Sequence, residues 1–545
     1  MVAVRSHLGG SSRPDVVAAL GRPDPTLTGR LLAASPGLGP VVATPALQVW
    51  GGPGLATWTA GDTRGWTWAA SAPEVRPTSW QSAANEACAP GVTVCTDGGV
   101  VHADGLALQD LYARRVGDAV YLSTRLHPLM VLDDGPLTPD VSAWGAILTV
   151  GAPVGAATPV REVRRLTAGE AWTVTAHGTL ARRTAPPLWD DVPSTPTKPA
   201  EMTEVIAAAI PAGDDPLVVT LSGGWDSRVL TSLALRRGHP VEAWTTYQYH
   251  PREKDLVWAV RVADSLGVPQ RMVLPHGRDW AAHQAAVRRR LDFQTWMHTW
   301  IFALTEELRG QPLPVVDGGY GDLLLRADMA GKAAAGELPW PSSLFFGMGG
   351  KRLDFVSTQA APLLLDATMA AYAELAATVA DRPNRETLLQ LLTRQNRAVT
   401  SAARQLVGPE TEVWMPFTHP AVVRAALSVP LADKQQHAYY REVLDTACGP
   451  EGLLRSSNDR GAHRQKMQGA FLQPAMITSL MDTVRRSERA RSLLGPLVAG
   501  AMEGDDGPTI LRRRLRPVDT LAWAALLADF EQEYADRLDW SAWPL

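Results

Sequence analysis

Between Leu217 and Ser227 the chain reads Leu-Val-Val-Thr-Leu-Ser-Gly-Gly-Trp-Asp-Ser: an apolar run, two glycines, then a carboxylate and a hydroxyl. Gly223 and Gly224 let the backbone turn sharply and approach a ligand, and the free amide hydrogens at a helix start attract an anion such as phosphate. Asp226 is the odd member. A carboxylate beside a phosphate cradle repels the ligand unless a divalent cation lies between them, so its presence argues for a magnesium-bound nucleotide. The plainer alternative is a strand-to-helix turn with Asp226 or Ser227 as N-cap. A second run, Val315-Val-Asp-Gly-Gly-Tyr-Gly-Asp-Leu-Leu324, is again a strand pattern ending in a glycine-rich turn with a carboxylate.

The elements that must position these turns follow from periodicity. The apolar stretch Leu217 to Leu221 predicts a strand, Ser227 to Arg237 a helix closed by Gly238, and Val241 to Thr246 a second strand. A helix from Glu253 to Leu266, a strand at Arg271 to Leu274, more helix to about Arg309 and a strand at Leu313 to Val316 come next. Strands alternating with helices of this length predict parallel βαβ units, with ligands beyond the carboxyl ends of the strands. From about Leu363 onward the pattern is helical. Residues 44 to 185 differ, with short alternating runs separated by Gly, Pro, Asp and Asn that predict β structure. Prolines 186, 187, 193, 196 and 199 mark the boundary between the two textures.

Composition bounds the rest. The chain has 545 residues, 46% apolar and 20% charged, with a formal charge of −4. That length favours more than one domain, and that charge provides no field for a polyanion, so nucleic acid is not an expected partner. The N-terminus lacks a signal-peptide pattern and no long uncharged apolar run exists, so no membrane association is expected. Three cysteines, Cys88, Cys95 and Cys448, are too few for a disulfide framework and fit a cytoplasmic location. The twelve histidines show no His-Glu-x-x-His, so a zinc site is not expected. Arg288-Arg-Arg290 and Arg512-Arg-Arg514 read as solvated helix faces, with an acidic partner as the alternative for either, and Trp296 and Trp300 as core residues.

The order Ser222-Gly-Gly-x-Asp-Ser227 after a strand resembles the pyrophosphate loop of the N-type ATP pyrophosphatases, which split ATP between its α- and β-phosphates. The second turn resembles that of asparagine synthetase-like proteins, and Asp322 stands where their aspartate shares magnesium with the aspartate of the pyrophosphate loop. Tyr320 or Gly319 falls where relatives place a catalytic side chain. Asp255 matches an aspartate near the start of the family's first crossover helix. Glu412-Val-Trp-Met-Pro-Phe417 is similar to the family's Glu-x-Arg-x-Pro-Phe segment, with Trp414 in place of the arginine, and Arg464-Gln-Lys466 to its late Arg-x-Lys, whose lysine faces the phosphates and the developing oxyanion. The resemblance thus implies Lys466, Tyr320 and Glu412 as catalytic candidates, Ser222, Gly223, Gly224, Asp226 and Ser227 as ATP-binding, and Asp226 and Asp322 as Mg2+ ligands.

The resemblance runs from about residue 105 to 470, and Arg161 to Glu170, Gly178-Thr-Leu and Trp189 look like the end of the family's N-terminal amidotransferase domain. It implies an α/β protein in three parts. Residues 1–190 form a β-rich, degenerate class II glutamine amidotransferase-like (Ntn) domain, 191–200 a Pro-rich linker, and 201–545 a doubly wound parallel-sheet ATP pyrophosphatase (adenine nucleotide alpha hydrolase-like) domain with a helical C-terminal part. Glutamine-using relatives need a cysteine next to the initiator methionine as nucleophile. Position 2 is Val2 and the first cysteine is Cys88, which predicts that the chain makes no ammonia of its own. The branch it most resembles is that of the lasso peptide cyclases, which join a precursor peptide's N-terminal amine to an internal Asp or Glu side chain, with a leader-binding protein and a leader peptidase acting alongside. β-Lactam synthetase-like amide formation, ammonia-dependent asparagine synthesis and a non-catalytic nucleotide-binding scaffold are the alternatives.

Overall fold

β1 (Val16–Gly21) is buried along its whole length because it is covered on both faces. Its alternate residues Val16, Ala18 and Leu20 pack between two sheets, whereas Val17 and Ala19 pack against helices. In chain order the strands that accompany it are β2 (Gly39–Ala43), β3 (Leu47–Gly51), β4 (Ala56–Ala60), β5 (Thr63–Thr67), β6 (Gly91–Cys95), β7 (Gly98–His102), β8 (Tyr112–Val116), β9 (Ala119–Ser123), β10 (Arg164–Arg165), β11 (Glu170–Thr175) and β12 (Leu180–Thr184). They make two antiparallel six-stranded sheets, ordered β10-β8-β9-β1-β3-β2 and β12-β11-β7-β6-β5-β4. The structure is a computed structural model and describes residues 16–52, 56–67, 77–86, 90–246, 254–273, 280–311, 313–326, 349–449, 454, 456, 474–512 and 515–543.

The second half is built on β13 (Leu217–Thr220), β14 (Val241–Thr246), β15 (Gln270–Val273), β16 (Val315–Val316) and β17 (Val413–Trp414), all parallel, in the order β15-β14-β13-β16-β17. The chain leaves β13 toward one edge of the sheet and returns to start β16 on the other side. β13 and β16 are therefore neighbours at the topological switch point, where a doubly wound sheet opens a crevice beyond its strand ends. Leu217 and Val219 face one core, Val218 and Val315 the other, as expected for a sheet covered on both faces. Beyond Ala360 the regular elements among the described residues are helices except for β17, a two-residue strand that the sequence pattern does not reveal. Among the described residues, no helix is long and apolar enough to cross a membrane.

Segment 191–200 is mostly exposed, between the buried pair Leu188 and Trp189 and the helix Pro199–Ala208. The halves on either side of it are nevertheless welded together. Trp144, on the helix Val141–Val150, shares a core with Trp523 and Phe530 of the helix Leu515–Glu533, and Trp523 Nε1 donates to the Trp144 carbonyl at 3.0 Å. Gly145 lets the helix Ala360–Ala377 come close: a Cβ there would lie 2.4 Å from the Leu364 carbonyl oxygen and 2.5 Å from Thr368 Oγ1.

Buried charge crosses the same boundary. Asp110 pairs with Arg165 and accepts from Gln294 and Gln405, and Arg397 donates to Gln294 and to the carbonyls of Gly155 and Ala157. The surrounding guanidinium groups hold the Asp110 carboxyl down to about 2 although burial opposes this. Arg288 and Arg290 correct the expectation of a solvated basic face. Each is 2% exposed, Arg288 pairs with Asp529 and Arg290 with Glu410, and Arg289 alone of the three lies at the surface, against Glu533. Arg512 is exposed, and Arg513 and Arg514 lie outside the described residues. Trp296 and Trp300 are half-buried; Trp296 packs against the core around Trp144, and the Arg352 guanidinium lies over its ring at 5.2 Å.

Candidate active site

β13 ends at Thr220, and Gly224, in extended conformation, caps the helix Trp225–Arg236. Within the turn, Ser222 Oγ and Ser227 Oγ are 3.0 Å apart, Ser222 N donates to Ser227 Oγ at 3.0 Å, and Gly224 N donates to Ser222 Oγ at 3.1 Å. Gly223 N donates to Asp255 Oδ1 at 3.0 Å, from the first turn of the helix Lys254–Leu266. A Cβ on Gly223 would lie 2.7 Å from Trp258 Cβ and 2.9 Å from the Asp255 carbonyl, so close approach explains this glycine. Beside Gly224 the nearest such atom is Ser222 Oγ at 3.2 Å.

The turn after β16 meets the first one. Thr220 Oγ1 donates to Asp317 Oδ2 at 3.0 Å, Gly319 N donates to Asp317 Oδ1 at 2.9 Å, and burial pushes the Asp317 carboxyl up. A Cβ on Gly318 would lie 3.0 Å from Asp226 Cβ, and one on Gly321 would lie 2.8 Å from both Asp226 Cγ and Phe417 Cε2. Asp322, in the first turn of the helix Gly321–Arg326, donates its amide to Asp226 Oδ2 at 3.0 Å. Its own carboxylate is exposed and pairs with Arg326 at 3.2 Å. Burial first, and the charge of Asp322 second, push the Asp226 carboxyl up to about 7.

Two carboxylates from adjacent strand ends, held close enough to repel, fit a divalent cation that completes its shell with phosphate and water oxygens. Among the described residues, no group of three or more His, Cys, Asp or Glu side chains is arranged to hold a metal by itself.

The structure thus brings together Ser222, Gly223, Gly224, Asp226, Ser227 and Asp322, with Asp255 behind the glycines. Two catalytic candidates stand apart. Tyr320 has φ of +83° and its side chain is 1% exposed in the core that also holds Val316, Leu324 and Phe417. Glu412 precedes β17 and so lies at the amino edge of the sheet, opposite the two turns. Its exposed carboxylate accepts from Trp414 Nε1 at 2.7 Å, and its carbonyl accepts from Val315 N at 2.8 Å. Lys466 lies outside the described residues.

Three residues join the cluster without a signal in the sequence. Tyr440, on the helix Ala438–Cys448, donates its hydroxyl to Asp226 Oδ1 at 2.5 Å. Trp225 and Arg326 pack beneath, with the guanidinium 4.3 Å from the indole centre.

Comparison with known families gives a match to the model described as asparagine synthase over residues 202–468, which contains both turns and every residue of the cluster. A comparison with curated proteins gives no match. Among solved structures, the chain is similar to glutamine phosphoribosylpyrophosphate amidotransferase from B. subtilis complexed with ADP and GMP, with 10% identity and a TM-score of 0.20, over 56% of this chain and 75% of that one.

Proposed function

We propose that this chain, whose residues 202–468 form an asparagine synthetase-like, ATP-dependent ligase domain, is a macrolactam synthetase of the lasso peptide cyclase kind. It would activate an Asp or Glu side chain of a precursor peptide as the acyl-adenylate and join it to the same peptide's N-terminal amine. A carboxylate is a poor acyl donor because oxide does not leave, whereas AMP does. In the first step the carboxylate oxygen bonds to the α-phosphorus and pyrophosphate departs. In the second the amine nitrogen bonds to the carbonyl carbon, AMP departs and the nitrogen gives up a proton.

The amides of Gly223 and Gly224, held by the Asp255 and Ser222 side chains, would pass to phosphate oxygens, with the hydroxyls of Ser222 and Ser227 alongside. Magnesium held by Asp226 and Asp322 would offset the phosphate charge and ease departure of pyrophosphate. Lys466 is assigned to the pyrophosphate or the tetrahedral oxyanion on its Arg-x-Lys context. Bringing the amine within about 3–3.5 Å of the activated carbonyl then falls to the walls of the crevice, and tethering both groups on one molecule supplies the effective concentration.

The observation that carries this reading is the pairing of Asp226 with Asp322 across the switch point, with the glycine turn at their side. The choice of a tethered amine over ammonia draws on the cysteines. Cys95 lies in β6, Cys448 is buried against Ser232 Oγ at 3.1 Å, and Cys88 is also internal, so none is a terminal nucleophile. By the same resemblance, a leader-binding protein and a leader peptidase would act with it in the cytoplasm.

The test is incubation with ATP, magnesium and candidate substrates. Loss of one water from a linear peptide, with AMP and pyrophosphate formed, supports cyclisation. Asparagine from aspartate and ammonia would replace it with simple amide synthesis. Absence of pyrophosphate under every condition would make the chain a nucleotide-binding scaffold.

A further inference from the structure

Resting on the reading that Asp226 and Asp322 hold a metal–nucleotide, we propose that Tyr440 is a positioning residue for that cation, fixing the direction in which the Asp226 carboxylate presents its free lone pairs. Asp226 has one donor on each oxygen, the Asp322 amide on Oδ2 at 3.0 Å and the Tyr440 hydroxyl on Oδ1 at 2.5 Å. An ionised carboxyl group offers about four acceptor sites, so two stay open, and rotating the group would break both bonds at once.

The phenol is itself fixed. Tyr440 is fully buried, and its ring meets Trp225 edge-on with centroids 5.4 Å apart at 79°. The Arg326 guanidinium sits 4.3 Å from the Trp225 ring and 5.7 Å from that of Tyr440, and also pairs with Asp322 Oδ1. Each aspartate is thus held by a side chain that packs on Trp225, and the three helices Trp225–Arg236, Gly321–Arg326 and Ala438–Cys448 are locked to one another at the carboxylates. The third helix starts after Gln436 and His437, which have φ of +53° and +64°. Such a backbone persists only where its surroundings over-determine it, and here it sets where Tyr440 begins its turn. The Tyr440 hydroxyl is donated to Asp226, so in this assignment its effect passes through that carboxylate.

Tyr440→Phe removes the donor and keeps the ring. With the full chain and a non-cleavable ATP analogue, Mn2+ binding followed by electron paramagnetic resonance should weaken about tenfold or more, as happens when an outer hydrogen bond to a metal ligand is lost. The apparent magnesium requirement of pyrophosphate release should rise similarly, with turnover at saturating magnesium within a few-fold of the unaltered chain. The control is Tyr439→Phe, which removes the neighbouring hydroxyl, donated to the Thr197 carbonyl at 2.9 Å, and should leave Mn2+ affinity unchanged. Equal affinity in Tyr440→Phe and the unaltered chain overturns the assignment. So does an equal loss in both variants, which would reveal general softening of the helix. If the unaltered chain binds no manganese nucleotide, the functional reading itself falls and this assignment falls with it.

Discussion

The amide of Asp322 donates to the carboxylate of Asp226 at 3.0 Å although 96 residues separate them in the chain. This bond fixes the spacing of two carboxylates whose charges repel, at the one place in the parallel sheet where adjacent strands lead off in opposite directions. Such an arrangement costs stability, and on the proposed reading a cation between the carboxylates would relieve it.

Asp226→Asn should therefore separate function from stability. Without the charged ligand, ATP-dependent pyrophosphate release should fall about a hundredfold or more. With the repulsion from Asp322 removed, the metal-free variant should melt at a higher temperature than the unaltered chain. A thermal melt in the presence of a chelator, beside a pyrophosphate assay, checks both.

Gly321 and Gly224 should respond differently to alanine. At Gly321 the new methyl would lie 2.8 Å from Asp226 Cγ, so Gly321→Ala should displace the carboxylate and cost about a hundredfold in turnover, even though alanine is the better helix former. At Gly224 only Ser222 Oγ is near. Gly224→Ala should fold with an unchanged melting temperature, and a raised KM for ATP would place the phosphates against this backbone.

Lys466→Ala should lower turnover by about a hundredfold at similar nucleotide affinity if its ammonium serves the developing oxyanion. Equal loss of affinity and turnover would instead assign it to phosphate binding. Single-turnover kinetics with a nucleotide-binding titration separate the two.

How much of this was legible depended on how local each signal was. The turns at 222–227 and 317–322 stand out because glycines, hydroxyls and carboxylates sit within a few residues of each other, and the strands β13 and β16 because an apolar run ends in such a turn. Asp255 is legible only through the resemblance to the family's first crossover helix, since its bond to Gly223 depends on how the crossover returns. Tyr440 carried no local mark at all: its partner lies 214 residues away. Arg288 and Arg290 misled for a related reason. Their counterions, Asp529 and Glu410, are supplied by distant segments, so a basic run that would be solvated on an isolated helix is buried in the fold. β17 escaped because two residues hold no periodicity; only the sheet makes them a strand.

Lys434 gives a pH signature unrelated to the site. It is fully buried, donates to the Ala426 carbonyl at 2.7 Å, and burial pushes its ammonium down to about 7. Between that value and the ordinary 10.5 the unfolded chain holds a proton that the folded one lacks, so this group makes stability rise with pH across the window. Lys434→Met should lack that rise. The difference in melting temperature between the two proteins should shift in favour of the unaltered chain by on the order of 1–2 °C from pH 6.5 to pH 9.

Gly145→Ala probes the weld between the halves. A methyl group would collide with the Leu364 carbonyl, a clash with backbone that costs about 1–3 kcal/mol or more. Calorimetry should show a lowered transition, and protease should cut the chain between the halves sooner.

The helix Leu515–Glu533 fills its place beside Trp144 more than 360 residues after that tryptophan has left the ribosome. The nascent N-terminal half therefore waits through most of synthesis with an open apolar seam, a state that invites aggregation or chaperone capture. A stop codon shortly before residue 515 would strand that seam permanently, so even a truncation that spares every residue of the aspartate cluster should yield insoluble protein.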